Sequence, residues 1–156
     1  MIFATIGTQA PFDRFVRMLD ELCEGMEEEV IVQTIGEGYK ARNIKMVGFL
    51  PPDEFNDYFS RARLIISHAG MGTILSSMRQ GKPIIIVPRL ASWHEHRNDH
   101  QMATAMRLDE LGYVNVAYDK KQLRDLMFDK SIKVLKHIDD KASDRLINSI
   151  KEYIGE

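Results

Sequence analysis

The sequence predicts an α/β domain with a mainly parallel sheet, and two features of its patterning carry that expectation. Short apolar runs alternate with longer segments whose apolar residues recur at spacings of three and four, the order in which strands and crossover helices follow one another. Glycine and proline stand at the junctions, where turns and helix ends need them.

Ile2 to Ile6 reads as a first strand buried on both faces. Pro11 falls where a first helical turn tolerates proline, and Phe12, Phe15, Val16, Leu19, Leu22, Cys23 and Met26 follow as one amphipathic helix. Val30 to Ile35 is a second strand and Ile44 to Val47 a shorter third. Pro51-Pro52-Asp53 then opens a brief helix with Phe55, Tyr58 and Phe59 on one side. Leu64 to Ser67 is the fourth strand, and a glycine-containing turn leads into a helix carrying Ile74, Leu75 and Met78. That helix stops at Gly81-Lys82-Pro83, as helices do before proline. Ile84 to Val87 is an all β-branched strand closed by Pro88. After a polar loop the helical pattern resumes at Asp99 with Met102, Ala103, Met106 and Leu111, and a last strand lies near Tyr113 to Ala117. The remainder is expected to be helical, with Ile132, Leu135, Ile138, Ala142, Leu146, Ile150 and Tyr153 as a stripe on one long charged helix. The nine methionines serve the core or an adaptable contact surface.

The chain has 156 residues, with 21 Lys and Arg against 23 Asp and Glu and a net charge of −2. This length suits a single domain over residues 1–156, and an activity that needs a cleft between two nucleotide-fold domains would need a second polypeptide. The charge balance argues against a nucleic-acid partner, which would demand a basic surplus on one face. Cys23 is the one cysteine, so no internal disulfide can form, and its apolar helical setting suits a packed thiol better than a nucleophile. The N-terminal apolar run lacks a basic flank and is too short for a signal peptide, and no stretch approaches a spanning helix. A soluble protein is expected, able to dock on something membrane-bound.

Ligands of open α/β sheets bind beyond the carboxyl ends of the strands, so the loops that follow strands are where chemistry should sit. Gly7-Thr8-Gln9 is a tight turn with a hydroxyl and an amide, explained as well by capping as by a ligand contact. Ser67-His68-Ala69-Gly70-Met71-Gly72-Thr73 runs from a buried strand into a helix. Its glycines let backbone approach an anion, and the free N–H groups of a helix start favour a phosphate there. Thr73 could cap the helix or donate its hydroxyl to the phosphate, and His68 could donate an N–H. Trp93 to Gln101 is a polar loop with far more hydrogen-bonding side chains than a connector needs.

Several motifs do not hold together. Gly36-Glu37-Gly38-Tyr39-Lys40-Ala41 matches a dinucleotide pattern, but a strand follows where a helix is required. The Gly70 loop lacks the lysine of a P-loop and has Leu75 where a third dinucleotide glycine would stand. His94, His96 and His100 invite a zinc reading, and with it a metal-dependent hydrolase, without an HExxH motif or a nearby cysteine. Glu95 and Asp99 could form an acid/base pair only if the loop brought them together.

Taken in order, Thr5-Ile6-Gly7-Thr8 with Pro11-Phe12-Asp13-Arg14, the Ser67 to Thr73 loop, Gly81-Lys82-Pro83-Ile84 leading to Val87-Pro88-Arg89, and Glu95-His96-Arg97-Asn98-Asp99-His100-Gln101 resemble the glycosyltransferase family 28 C-terminal domain. The likeness spans roughly residues 1–117, with C-terminal helices over 119–156 outside it, and is nearest to small donor-binding subunits of exopolysaccharide and dolichol-linked glycan synthesis. It implies a Rossmann-like parallel sheet with helices on both faces, the C-terminal half of a GT-B fold.

The resemblance also implies a function: a cytoplasmic hexosyltransferase subunit, peripheral to the inner face of the membrane, that binds a UDP-sugar donor. A membrane-associated subunit would carry the lipid-linked saccharide acceptor. His68, Gly70, Gly72 and Thr73 would hold the donor diphosphate, Asn98, Asp99, His100 and Gln101 the donor sugar, and Ser76, Gly7 and Thr8 the nucleoside. No metal and no cofactor are implied, anomeric inversion is, and the base that deprotonates the acceptor would lie on the other subunit. Family members usually place a glutamate on the ribose hydroxyls where this chain has Ser76. A serine cannot make the bidentate, charge-assisted contact of a carboxylate, so the nucleoside is held differently, affinity is weaker, or catalysis is lost. The competing reading from that departure is a non-catalytic nucleotide-sugar-binding or assembly subunit.

Overall fold

The computed structural model describes residues 1–36, 38–96 and 98–155, with only the backbone of Asp140. Six parallel strands form one sheet in the order β3-β2-β1-β4-β5-β6. They are β1 (Ile2–Thr5), β2 (Val30–Gln33), β3 (Lys45–Val47), β4 (Leu64–His68), β5 (Ile84–Val87) and β6 (Asn115–Val116). The helices are α1 (Asp13–Leu22), α2 (Pro52–Arg61), α3 (Met71–Gln80), α4 (His100–Glu110), α5 (Lys120–Met127) and α6 (Asp140–Ile154), with a 3₁₀ turn at Ala91–Trp93. This is the Rossmann-like arrangement, and strand order reverses between β1 and β4.

Because side chains alternate across a strand, each central strand feeds two cores. Ile2, Ala4, Val30, Val32, Leu64, Ile66, Ile85 and Val87 pack under α1 and α5, against Phe12, Phe15, Val16, Leu19, Leu123 and Met127. Phe3, Ile31, Ile65, Ile84 and Ile86 face the opposite way, onto Phe59, Ile74, Met78, Ala105, Leu108, Leu146 and Ile150 of α2, α3, α4 and α6. Burial on both faces is why the central strands carry no amphipathic alternation.

The second face turns polar at the carboxyl ends of the strands. Thr5 is in register with Gln33 on one side and Ser67 on the other, all three are buried, and the Thr5 hydroxyl donates to Gln33 Oε1 at 2.6 Å. That change marks where packing ends and the cleft begins.

Local boundaries differ from the sequence expectation at several places, among them the end of α1 at Leu22 instead of Met26 and the end of β2 at Gln33 instead of Ile35. Pro11 lies outside α1, which starts at Asp13 after Phe12, whose ring is fully buried. Thr73 is not the cap of α3. Gly70 occupies the cap position without a side-chain bond, and Thr73 sits inside the first turn. The last strand is Asn115–Val116, shorter than Tyr113 to Ala117. The C-terminal stripe is not one helix: α5 ends at Met127, residues 128–139 are non-helical, and α6 begins at Asp140. The Asp139 carboxylate accepts from Ala142 N at 2.7 Å and so caps α6, while Ile138 N donates to Met78 O and anchors the non-helical stretch on α3. Gly81 ends α3 as expected, at φ 66° in the left-handed region. Among the described residues no helix is long and apolar enough to cross a membrane.

Candidate functional site

A cleft of about 790 Å³ opens at the carboxyl edge of the sheet, over the point where strand order reverses. The loop after β1 supplies Gly7, Thr8 and Gln9, and the β4-to-α3 turn supplies His68, Gly70, Gly72, Thr73 and Ser76. The loop after β5 supplies Arg89, Glu95 and His96, and Gln101 enters from α4. Phe49, Leu50 and Phe55 make an apolar wall on the β3 side.

His68 is central to the polar part of the cleft. Its Nδ1 lies 3.0 Å from Gln101 Nε2, and its ring is wedged between two glycine backbones. A Cβ on Gly7 would stand 2.8 Å from His68 Nε2, and one on Gly70 would stand 2.6 Å from the same atom. These glycines therefore make room for the imidazole first. Gly72 differs, because a Cβ there would meet nothing within 4 Å and its backbone borders open cleft. Burial, reinforced by the Arg89 charge, pulls the His68 pKa down to about 4, so the ring is neutral near pH 7.

Donors converge beside that ring. The first turn of α3 leaves the N–H groups of Met71, Gly72 and Thr73 without intrahelical acceptors, and no side chain caps them. Arg89, only 2% exposed, adds a buried positive charge. Its guanidinium donates to the carbonyls of Ile6, Ala10, Pro11 and Glu95 at 2.6 to 3.1 Å and lies over the Phe12 ring, 4.7 Å from its centroid. Glu95 is gripped from the other side by Arg14, whose Nε and Nη2 reach its two oxygens at 2.8 and 3.0 Å. The loops after β1 and β5 are thereby tied together beneath the cleft.

Of the residues singled out from sequence, His68, Gly70, Gly72, Thr73, Ser76, Gly7, Thr8 and Gln101 line this one cleft. Asn98, Asp99 and His100 do not line it. Asn98 Oδ1 accepts from His100 N, and Asp99 Oδ1 accepts from Ala91 N, which shapes the loop leading into α4. Glu95 and Asp99 take separate partners, so no acid/base pair forms. Among the described residues no three His, Cys, Asp or Glu side chains gather as metal ligands, which leaves the zinc reading of His94, His96 and His100 without a centre. Glu37 of the dinucleotide-like motif and Arg97 of the polar loop lie outside the described residues. Arg89, Arg14 and the Thr5–Gln33 pair were given no role from sequence. An arginine two residues past the end of a buried strand is the available signal for the first of them.

A family model described as the glycosyltransferase family 28 C-terminal domain matches residues 1–150. The chain is 28% identical over 123 residues to a Mus musculus protein named UDP-N-acetylglucosamine transferase subunit ALG13. That stretch is 72% of this chain and 10% of the mouse protein, so the chain spans about a tenth of that relative's length. Among solved structures, an NMR solution structure of ALG13 superposes with a TM-score of 0.62 at 22% identity, covering 93% of each chain. The crystal structure of Acinetobacter baumannii MurG superposes with a TM-score of 0.62 at 17% identity, over 96% of this chain and 49% of that one. At such identities the structural likeness is one of fold.

Proposed function

The chain belongs to the glycosyltransferase family 28 C-terminal domain family, and from that premise we propose that it is the donor-binding part of a hexosyltransferase that takes its sugar from a nucleoside diphosphate sugar. The observation that carries the reading is the convergence at one cleft of the uncapped first turn of α3, the His68 ring and the buried Arg89 charge. Fixed N–H donors and a buried cation favour a diphosphate, and they favour it more as charge grows on the departing group during transfer. His68, Gly70, Gly72 and Thr73 face the diphosphate. The apolar wall of Phe49, Leu50 and Phe55 suits a flat base, with Ser76, Gly7 and Thr8 toward the ribose. UDP-N-acetylglucosamine is the first donor to test, since relatives at 28% identity carry it in their names.

The acceptor is a lipid-linked saccharide delivered by a second, membrane-associated chain that closes the cleft and supplies the base. Support for a partner comes from the relatives' description as subunits. Localisation on the inner face of the membrane follows from that partner. Ser76 favours a second reading, a non-catalytic assembly subunit that binds nucleotide without transfer.

Titration calorimetry of the full chain with UDP and a panel of UDP-sugars tests the donor site. Heats that saturate with UDP and not with uridine are expected, and no binding of any UDP compound would reject the proposal. Transfer assayed with the co-expressed partner separates the two readings: product formation supports the enzyme, and binding without product supports the assembly subunit.

A further inference from the structure

Gln101 carries three bonds that together leave its amide no choice of orientation. Its Oε1 accepts from Ala69 N at 3.2 Å and from Arg89 N at 3.1 Å, two backbone donors on different loops. A reversed amide would set its NH₂ against both of these N–H groups, an arrangement without an acceptor. The NH₂ group therefore points at His68 Nδ1, 3.0 Å away, and a donor there requires an unprotonated Nδ1. In the neutral ring the single proton must then sit on Nε2.

We infer that Gln101 is a positioning residue that holds His68 in its Nε2–H tautomer and so aims a neutral N–H donor into the cleft. This assignment differs from contact with donor-sugar hydroxyls, the role that the resemblance implies for Gln101. The inference rests on the donor-diphosphate reading for its ligand and on protein geometry alone for its tautomer.

A neutral donor suits this place. Arg89 already supplies positive charge, and Nε2 lies against the Gly7 and Gly70 backbones with no acceptor among the described residues. The opposite tautomer would turn a lone pair toward an incoming phosphate and repel it. Gln101 also joins the β4 and β5 loops through its two backbone bonds, so one side chain sets both the distance between the loops and the protonation pattern of the ring. The charged and titratable groups facing His68 are Arg89 and His96 on the loop after β5, with Glu95 in the same cleft paired to Arg14. The loop after β1 presents Gly7, Thr8 and Gln9, none of which titrates.

The test reads the ring nitrogens directly. In the full chain labelled with ¹⁵N-histidine, the His68 signals are identified by their loss in His68→Asn. Wild type should show Nδ1 unprotonated and Nε2 protonated at pH 7, with no imidazolium until the pH nears 4. Gln101→Glu is isosteric and retains an acceptor for the two backbone donors, but it presents Nδ1 with a carboxylate oxygen. The proton should move to Nδ1, and the pKa of the ring should rise. Inorganic pyrophosphate and UDP should then bind roughly tenfold more weakly at pH 8 and recover relative to wild type as pH falls and the ring becomes charged. A wild-type ring protonated on Nδ1, or a Gln101→Glu ring still protonated on Nε2 alone, would overturn the inference. A tautomer switch as described, with neither pyrophosphate nor UDP perturbing His68, would support the positioning role and reject the donor reading.

Discussion

The His68 imidazole fills the space that a Cβ on Gly70 would need, with Nε2 2.6 Å from that position. The ring has no easy retreat, since Gly7 closes the other side and Gln101 holds Nδ1. Gly70→Ala should therefore cost about 1–3 kcal/mol, the range for an overpacked core. It should also remove UDP binding by displacing His68. Gly72→Ala should do the reverse on stability: a Cβ there meets open space inside a helix, and alanine in place of glycine adds roughly 0.5–1 kcal/mol. The added methyl still narrows the approach to the first-turn amides, so UDP should bind more weakly to a more stable protein. Urea unfolding and calorimetry on the two variants check both signs, and parallel losses of stability would contradict the geometry.

Arg89 should be the residue whose removal loosens the site most. Arg89→Met leaves the carbonyls of Ile6, Ala10, Pro11 and Glu95 without their donor and should cost on the order of 3 kcal/mol. Arg89→Lys should rescue little, because an ammonium on a flexible stem cannot reach four carbonyls in the plane that a guanidinium spans. Urea midpoints order the three proteins, and a lysine variant as stable as wild type would show that charge matters here and the fork does not.

The contrast between those residues also explains what the sequence could reveal. Doubly buried strands such as Ile84–Val87 and the stop at Gly81 are local signals, and they survive in the fold as read. The site loops were legible because strands of a parallel sheet all end at one edge. Arg89 was not, because its acceptors at Ile6, Ala10 and Pro11 lie 78 to 83 residues away in the chain. From sequence Gly70 reads as an opening for an anion and Gly7 as part of a tight turn, and only folding places the His68 ring against both. Helical period carried the C-terminal stripe back past Asp139, since apolar spacing does not register a capping carboxylate or the bond from Ile138 N to Met78 O.

Ser76 lines the cleft and is half-buried, at the position where the resemblance implies a glutamate. If the ribose lies there, Ser76→Glu adds a charge-assisted acceptor for a diol and should tighten UDP binding by roughly tenfold. Deoxy-UDP lacks one hydroxyl of the pair and should gain much less. Calorimetry with both nucleotides makes the comparison, and equal changes for the two would place the ribose elsewhere.

Stability should fall with pH in two separate windows. His68 is held neutral, its pKa lowered from 6.5 to about 4 by burial and then by the Arg89 charge. Below pH 6.5 the unfolded chain takes up a proton there that the folded chain refuses, so stability present above that pH is lost as pH falls toward 4. The loss is on the order of 3 kcal/mol from this one group. Asp20 acts lower. Burial pushes its carboxyl up, but bonds from Asn43 N, the Tyr39 hydroxyl and Arg42 N outweigh burial and bring the pKa below its ordinary 3.8. Its contribution is complete above that value and disappears as pH drops through the depressed one, releasing the loop after β2 from α1. Urea midpoints for wild type should decline between pH 6.5 and 4 and again below. His68→Gln should flatten the first decline and Asp20→Asn the second. A wild-type midpoint that stays level down to pH 4 would mean that the imidazole takes its proton inside the folded cleft.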